Sequence, residues 1–264
     1  ITGIQSLGVM TDMPGLMVRF EREQRLPWRT RIATGIIKWC LNNFKKYVFL
    51  TEAMNVVNER KRPYIVMEGM SDRFMATYKR PFEAKDIKVV MYAGGLHERY
   101  GLKKLTEAFM MLPQENFRLK LFGSGPFVEK LKTKYTKKDS RIQYMGVAPN
   151  AEVVAAELDA SLLVNPRPTH EEFTKYSFPS KNIEYMASGT PLLTTKLPGM
   201  PKEYYPYVFL IENESVEGYA KALESVLAQS DEELYVFGEK AKDFVLEKKN
   251  SFEQAKRVIE LIKL

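Results

Sequence analysis

The sequence has one cysteine, Cys40, and two histidines, His97 and His170. A lone thiol excludes an internal disulfide and a thiolate metal cluster, and it fits a reducing, cytoplasmic setting. Cys40 stands among apolar residues in a helical pattern and is expected to be a small buried side chain rather than a nucleophile. Hydrophobic residues make up 45% of the 264, yet no run approaches the roughly 20 consecutive apolar residues of a membrane-spanning helix. The opening, ITGIQSLGVMTDMPG, lacks a basic start, an apolar core and a cleavage site, so a signal peptide is not expected. It also begins without Met, directly in a strand-like run, which predicts that the start of the protein is missing. No G-x-G-x-x-G fingerprint is present, which disfavours a nicotinamide dehydrogenase, and no Walker loop occurs.

The net charge of +7 is unevenly spread. Residues 1–80 hold 14 Lys or Arg and 7 Asp or Glu, whereas residues 81–264 hold 26 of each. The whole excess lies in the first third, which suggests an anionic partner there, such as a membrane surface or a phosphorylated lipid. Arg29, Arg31, Lys38, Lys45 and Lys46 lie on or beside one amphipathic helix in 29–46 and are expected to meet anionic headgroups. The competing reading is a domain-packing helix with a solvated face. No basic stripe interleaved with base-stacking aromatics is seen, so nucleic acid is not an expected partner.

From Ile87 onward, short β-branched runs alternate with amphipathic helices. Strands are expected at 87–93, 117–123, 141–146, 160–166, 191–195 and 207–211. Helices are expected at 102–112, 127–135, 151–158 and 180–188, with Leu102, Leu105, Phe109 and Leu112 at helical spacing. This pattern predicts βαβ units and a six-stranded, parallel, doubly wound sheet, with ligands at the strands' carboxyl edge. Three helices follow at 215–229, 231–248 and 251–263, with Ser215, Asp231 and Ser251 as expected N-caps. The first 80 residues read as the end of another α/β domain. Strands are expected at 9–14, 47–52 and 64–69, with a helix at 30–46 carrying Ile32, Ile36, Trp39 and Phe44 on one face, and a second helix near 53–60. The expected domains are a partial acceptor-side unit at 1–80, a Rossmann-like unit at 81–250, and a last helix at 251–264 returning to the first unit.

Gly94 and Gly95 follow the first strand of the second unit and precede a helix. Two glycines there let backbone approach a ligand, and a helix N-terminus suits a diphosphate. Arg99 is placed to add a contact. Gly123-Ser124-Gly125-Pro126 repeats the arrangement after the next strand. In 165–195 a strand ends at Pro166, a polar loop carries Arg167, His170, Glu171 and Glu172, and a helix opens with Ser180 and Lys181. Glu184 is the one acid in that helix, among Ile183, Tyr185, Met186 and Ala187, and is suited to accept two hydrogen bonds from a vicinal diol such as a ribose.

YAGGLHERYGLKKLTEAF, LFGSGP, IQYMG and YSFPSKNIEYMASGTPLL occur in one order at one spacing. In them the chain resembles the GT-B glycosyltransferases of family 4 (group 1) that serve bacterial surface-polysaccharide synthesis, from about residue 7 to the end. The resemblance implies a retaining transfer from a nucleoside-diphosphate sugar, UDP being favoured, to a saccharide or lipid-linked acceptor. It places Gly94 and Gly95 against the diphosphate, with the 177–181 loop opposite, and Glu184 on the ribose. Gly146 and Val147 fall where the family packs and reads the base. Asp12 falls where many members carry a histidine close to the transferred sugar, which makes it the candidate catalytic or positioning residue. Two family positions differ here. Gly95 and Tyr100 stand where an Arg and a Lys are usual, leaving Arg99, Lys181 or Arg167 to supply the charge. Tyr176 stands where the first of two paired glutamates is usual, leaving Glu171 or Glu172 as substitutes.

No Asp-x-Asp motif occurs, so no obligatory metal and no cofactor is expected. Front-face attack fits the lack of a carboxylate pair suited to double displacement. The alternatives are a nucleotide-sugar 2-epimerase, for which the acid–base side chains are too few, and a non-catalytic donor-binding subunit, which the altered loop and Tyr176 leave open. The expected location is cytoplasmic, peripheral at the inner membrane face.

Overall fold

The structure is a computed structural model that describes residues 6–13 and 28–264, without the side chains of Thr30, Arg31, Thr34 and Lys38. Two parallel sheets form it. The small sheet has the order β1-β2-β3: β1 (Leu7–Met10), β2 (Lys46–Phe49) and β3 (Tyr64–Val66). Helix α1 (Trp28–Leu41) lies between β1 and β2 in the chain. Tyr47, Phe49, Met10, Met54 and Val57 make the core of this unit.

The large sheet has six parallel strands in the order β6-β5-β4-β7-β8-β9. They are β4 (Lys88–Ala93), β5 (Phe117–Phe122), β6 (Ile142–Gly146), β7 (Leu162–Asn165), β8 (Leu192–Thr195) and β9 (Phe209–Ile211). This is the doubly wound α/β architecture, with GT-B-type paired sheets. Strand β4 is buried on both faces, which is why it reads as a continuous apolar run. Val90 and Tyr92 point into one core and Val89, Met91 and Ala93 into the other. The first core is closed by α2 (Leu102–Met110) and α7 (Val216–Leu227) through Leu102, Leu105, Phe109, Tyr219 and Leu223. The second is closed by α6 (Ser180–Ala187) and α8 (Asp231–Lys248) through Ile183, Tyr185, Met186, Ala241 and Val245. Each fully buried Leu, Ile, Val, Phe or Met among these contributes about 1.5–3 kcal/mol.

Between these, α3 (Phe127–Lys130) widens into a π-turn over Leu131–Tyr135 before the short α4 (Thr136–Lys138), and α5 (Asn150–Asp159) leads into β7. The last helix, α9 (Ser251–Lys263), packs on β2 and β3. Gln254 donates to the Gly69 carbonyl at 2.9 Å and Arg257 to the Val66 carbonyl at 2.8 Å. Ser71 bridges to Asn250 as the chain passes between the units, its N–H reaching the Lys249 carbonyl at 2.8 Å.

Several sequence expectations are corrected. Cys40 is exposed, as are Ile32, Ile36 and Trp39, so the apolar face of α1 is uncovered among the described residues. Lys46 is buried and donates to the Ile262 carbonyl at 2.6 Å, so it does not face headgroups. The side chains of Arg31 and Lys38 lie outside the described set. Two N-caps sit one residue earlier than expected: Ser230, in a capping box with Glu233, and Asn250. Ser215 caps α7 by accepting from the Gly218 N–H at 3.0 Å.

Candidate functional site

Crossovers leave β4 and β7 in opposite directions, so a crevice opens at their carboxyl ends. Ala93, Gly94 and Gly95 leave β4 there, and Pro166 and Arg167 leave β7. The loops are locked by close backbone approach. A Cβ on Gly123, where φ is +123°, would lie 1.9 Å from the Gly94 carbonyl oxygen, and one on Gly101 (φ +83°) 1.8 Å from that of Pro166. The Leu96 N–H donates to the Ser124 carbonyl at 2.8 Å, and the Phe127 N–H to the Leu96 carbonyl at 2.9 Å. The Gly123-Ser124-Gly125 turn is therefore the support that shapes the Gly94 loop.

Two tyrosines that the motifs did not single out fix this edge. The Tyr185 hydroxyl accepts from the Ala93 N–H at 2.8 Å and donates to the Ala93 carbonyl at 3.0 Å, pinning the end of β4 to α6. The Tyr92 hydroxyl donates to the Gly95 carbonyl at 3.0 Å. Burial pushes the Tyr92 phenol up to about 12, so it remains a donor at neutral pH.

Arg167 brings the charge. Its guanidinium lies 4.9 Å from the Tyr100 ring centre and 6.0 Å from that of Phe173. Burial lowers its pKa, the nearby tyrosines oppose this, and Arg167 stays charged. Among the described ion pairs none involves Arg167. A desolvated cation set against the edge-to-face pair of Tyr100 and Phe173, with no paired carboxylate, is suited to an anionic ligand. Arg99 also lies over the Tyr100 ring, 5.4 Å from its centre, while remaining exposed. Burial and Arg99 lower the pKa of His97, which keeps it neutral.

Helix α6 opens at Ser180 after Pro179 without a side-chain cap, so its first-turn amides are not satisfied by a capping hydroxyl or carboxylate. Asn165 at the end of β7 donates to Asn182 at 2.5 Å, and both are buried. Lys181 pairs with Glu184 at 2.8 Å and stands 3.9 Å from Glu157 of α5. Glu157 is fully buried, and its carboxyl oxygens have no hydrogen-bond partner among the described residues. Burial first, and then the charge of Glu184, push its carboxyl up to about 7, with Lys181 pulling it down.

Gly94, Gly95, Arg99 and Arg167 thus surround one crevice. Ser180, Lys181 and Glu184 sit on the helix that Tyr185 joins to it. Gly146 is connected by the Gly123 N–H, which donates to its carbonyl at 2.7 Å. Beyond it Val147 is 75% exposed, an apolar side chain left open at this edge. Asp12 lies elsewhere, exposed just past the carboxyl end of β1, where the Thr11 hydroxyl reaches it at 3.5 Å. The same edge of the small sheet meets the second unit: the Thr51 hydroxyl donates to the Lys175 carbonyl at 2.8 Å, and Tyr176 packs on the core of the small sheet. Glu171 faces His170 at 3.7 Å, and Glu172 is exposed.

A family model described as glycosyl transferases, group 1, matches residues 76–262. The fold is similar to that of sucrose-phosphate synthase from Thermosynechococcus elongatus, at a TM-score of 0.72 and 18% identity over 97% of this chain and 67% of that one. It is similar to TarM of S. aureus, solved with UDP (TM-score 0.69, 15% identity, 98% of this chain and 51% of that one). Anabaena HepE, solved in complex with UDP and glucose, is another (TM-score 0.70, 13% identity, 97% and 71%). The chain therefore spans from about half to about seven tenths of these proteins. No curated protein sequence matches it.

Proposed function

We propose, from the premise that this chain belongs to the glycosyl transferases of group 1, that it moves a sugar from a nucleoside-diphosphate donor, UDP being favoured, to a saccharide or lipid-linked acceptor. The observation that carries this reading is the convergence at the β4/β7 crevice. Glycine backbone, the desolvated Arg167 and the uncapped start of α6 meet there, held by the two hydrogen bonds between Tyr185 and Ala93. In this reading the diphosphate lies between the Gly94 loop and Ser180, Glu184 holds the ribose, and Val147 lies under the base.

The leaving diphosphate gains charge in the transition state, and donors fixed beforehand stabilise it. Arg167, Lys181 and the amides of α6 are such donors, and Arg167 fills the electrostatic role left open by Gly95 and Tyr100. Asp12, exposed past β1 of the small sheet, is assigned the orienting of the acceptor or the transferred sugar. We assign the reaction to the retaining, metal-independent transfers of family 4, acting in surface-polysaccharide synthesis. The lack of an Asp-x-Asp motif supports the metal-independent part. Residues 1–80 form the acceptor side, residues 81–250 the donor side, and 251–264 returns to the first. The uncovered apolar face of α1, with Trp28 and Trp39 exposed beside Arg29, supports a peripheral stance on an anionic membrane. Among the described residues no helix is long and apolar enough to cross one.

One observation favours a second reading, a donor-binding subunit without transfer: Tyr176 packs toward the small sheet and presents no carboxylate. Incubation with UDP-sugar and oligosaccharide or lipid-linked acceptors separates the two. Acceptor-dependent UDP release supports the transferase, and tight donor binding without release in any acceptor mixture supports the subunit.

A further inference from the structure

Glu157 has no part in the reaction just described, yet it is a fully buried carboxyl whose oxygens lack hydrogen-bond partners among the described residues. Buried polar groups are normally satisfied, and an exception calls for a reason. The cation facing it is Lys181 of α6, 3.9 Å away, and the same ammonium is 2.8 Å from Glu184. One ammonium therefore serves two carboxylates, only one of which reaches solvent. The other titratable groups in its field are Tyr185 of α6 and Tyr78, after the Arg73–Thr77 turn. Burial raises both phenols, so neither adds charge near neutrality.

We propose that Glu157 is a positioning residue of the donor site, holding the Lys181 ammonium of α6 toward α5 and taking up a proton when the donor diphosphate settles at the start of α6. This rests on the donor-site reading above. A diphosphate there adds negative charge and draws the Lys181 ammonium toward itself. Both changes remove compensation from ionised Glu157, whose carboxyl is already held up to about 7 by burial and Glu184. The carboxylate then binds one proton from solvent, and no covalent bond between heavy atoms changes. Linkage is reciprocal, so the donor binds more tightly where Glu157 is already protonated, and its affinity falls as pH rises through neutrality.

Calorimetric titration with UDP-glucose tests this, because that donor lacks the terminal phosphate group whose second pKa lies at about 6. In the wild type we expect net proton uptake at neutral pH, read from the buffer dependence of the binding enthalpy. We also expect roughly a fivefold loss of affinity from mildly acidic to mildly alkaline pH. Glu157→Gln should bind with a flat pH profile and no uptake, an outcome that a merely space-filling Glu157 does not give. The same uptake in Glu157→Gln, or a flat profile in the wild type, overturns the proposal. Should the variant not fold, infrared difference spectra of the wild type decide. A protonated-carboxyl band gained on adding UDP-glucose supports the proposal, and its absence overturns it. Binding without proton uptake removes the role of Glu157 alone, whereas no binding of UDP-glucose by the wild type removes the donor site as well.

Discussion

The Lys249 ammonium lies 2.5 Å from the Glu68 carboxylate, and both side chains are buried. Glu203 reaches the same ammonium at 2.6 Å, and the Tyr204 hydroxyl donates to Glu68 at 2.7 Å. Glu68 follows β3 and Lys249 follows α8, so the pair ties the two units together where the chain passes between them. Lys249→Met leaves the Glu68 charge buried without its cation and should lower stability in urea by about 3–5 kcal/mol. The double variant with Glu68→Gln should recover part of that loss.

The glycines of the donor edge differ in what they tolerate. Gly123 combines a φ of +123° with a Cβ position 1.9 Å from the Gly94 oxygen. Gly146 has a φ of +78° and nothing within 4 Å of its Cβ position. Gly146→Ala should therefore cost only about 1–2 kcal/mol of backbone strain. Gly123→Ala should cost more in stability and also displace the Gly94 loop, which weakens nucleotide binding. Paired denaturation and UDP-binding curves compare the two.

Arg167 combines charge with contact to the rings of Tyr100 and Phe173. Loss of one charge-assisted contact to a diphosphate amounts to about 1.5–3 kcal/mol, so Arg167→Ala should weaken UDP binding at least tenfold by the usual conversion of about 1.4 kcal/mol per decade. Arg167→Lys keeps the charge and loses the flat stacking face, so it should recover only part. Uridine, which has no phosphate, should bind all three proteins alike.

Glu157 gives stability a pH signature. Its carboxyl is held up to about 7 in the folded chain, by burial first and then by Glu184. A raised folded pKa means that the stabilisation is present in full below the unfolded value and is lost as pH rises through about 7. Glu157→Gln does not titrate, so relative to the wild type it should gain stability with rising pH, up to about 3 kcal/mol above neutrality. Thermal melts of both proteins across that range test the sign; equal slopes would contradict it.

Much of this was legible in the chain. Leu102, Leu105 and Phe109 repeat at helical spacing, and all three are buried in the first core. The β-branched run at 87–93 marked the strand that became β4. Glu184 stood out as the one acid in an apolar helix. What was not legible depends on distant partners. Tyr185 looked like another core residue, because its hydroxyl bonds to Ala93, far away in sequence. The burial of Glu157 could not be read from the chain, because nothing local tells which face of α5 is covered. Cys40 was misjudged for the same reason: periodicity defines a face and not what covers it. The caps at Ser230 and Asn250 were displaced by one residue because their neighbours Asp231 and Ser251 are also capping types.

The central claim is that a nucleoside diphosphate is held at the β4/β7 crevice with its pentose on Glu184. Its most direct test is the thermal shift given by UDP to the wild type and to Glu184→Ala. At UDP about a hundredfold above Kd the wild type should gain about 2.7 kcal/mol of stability, and Glu184→Ala should lose most of that gain. An undiminished shift in Glu184→Ala would contradict the account, as would a wild type that no nucleoside diphosphate stabilises.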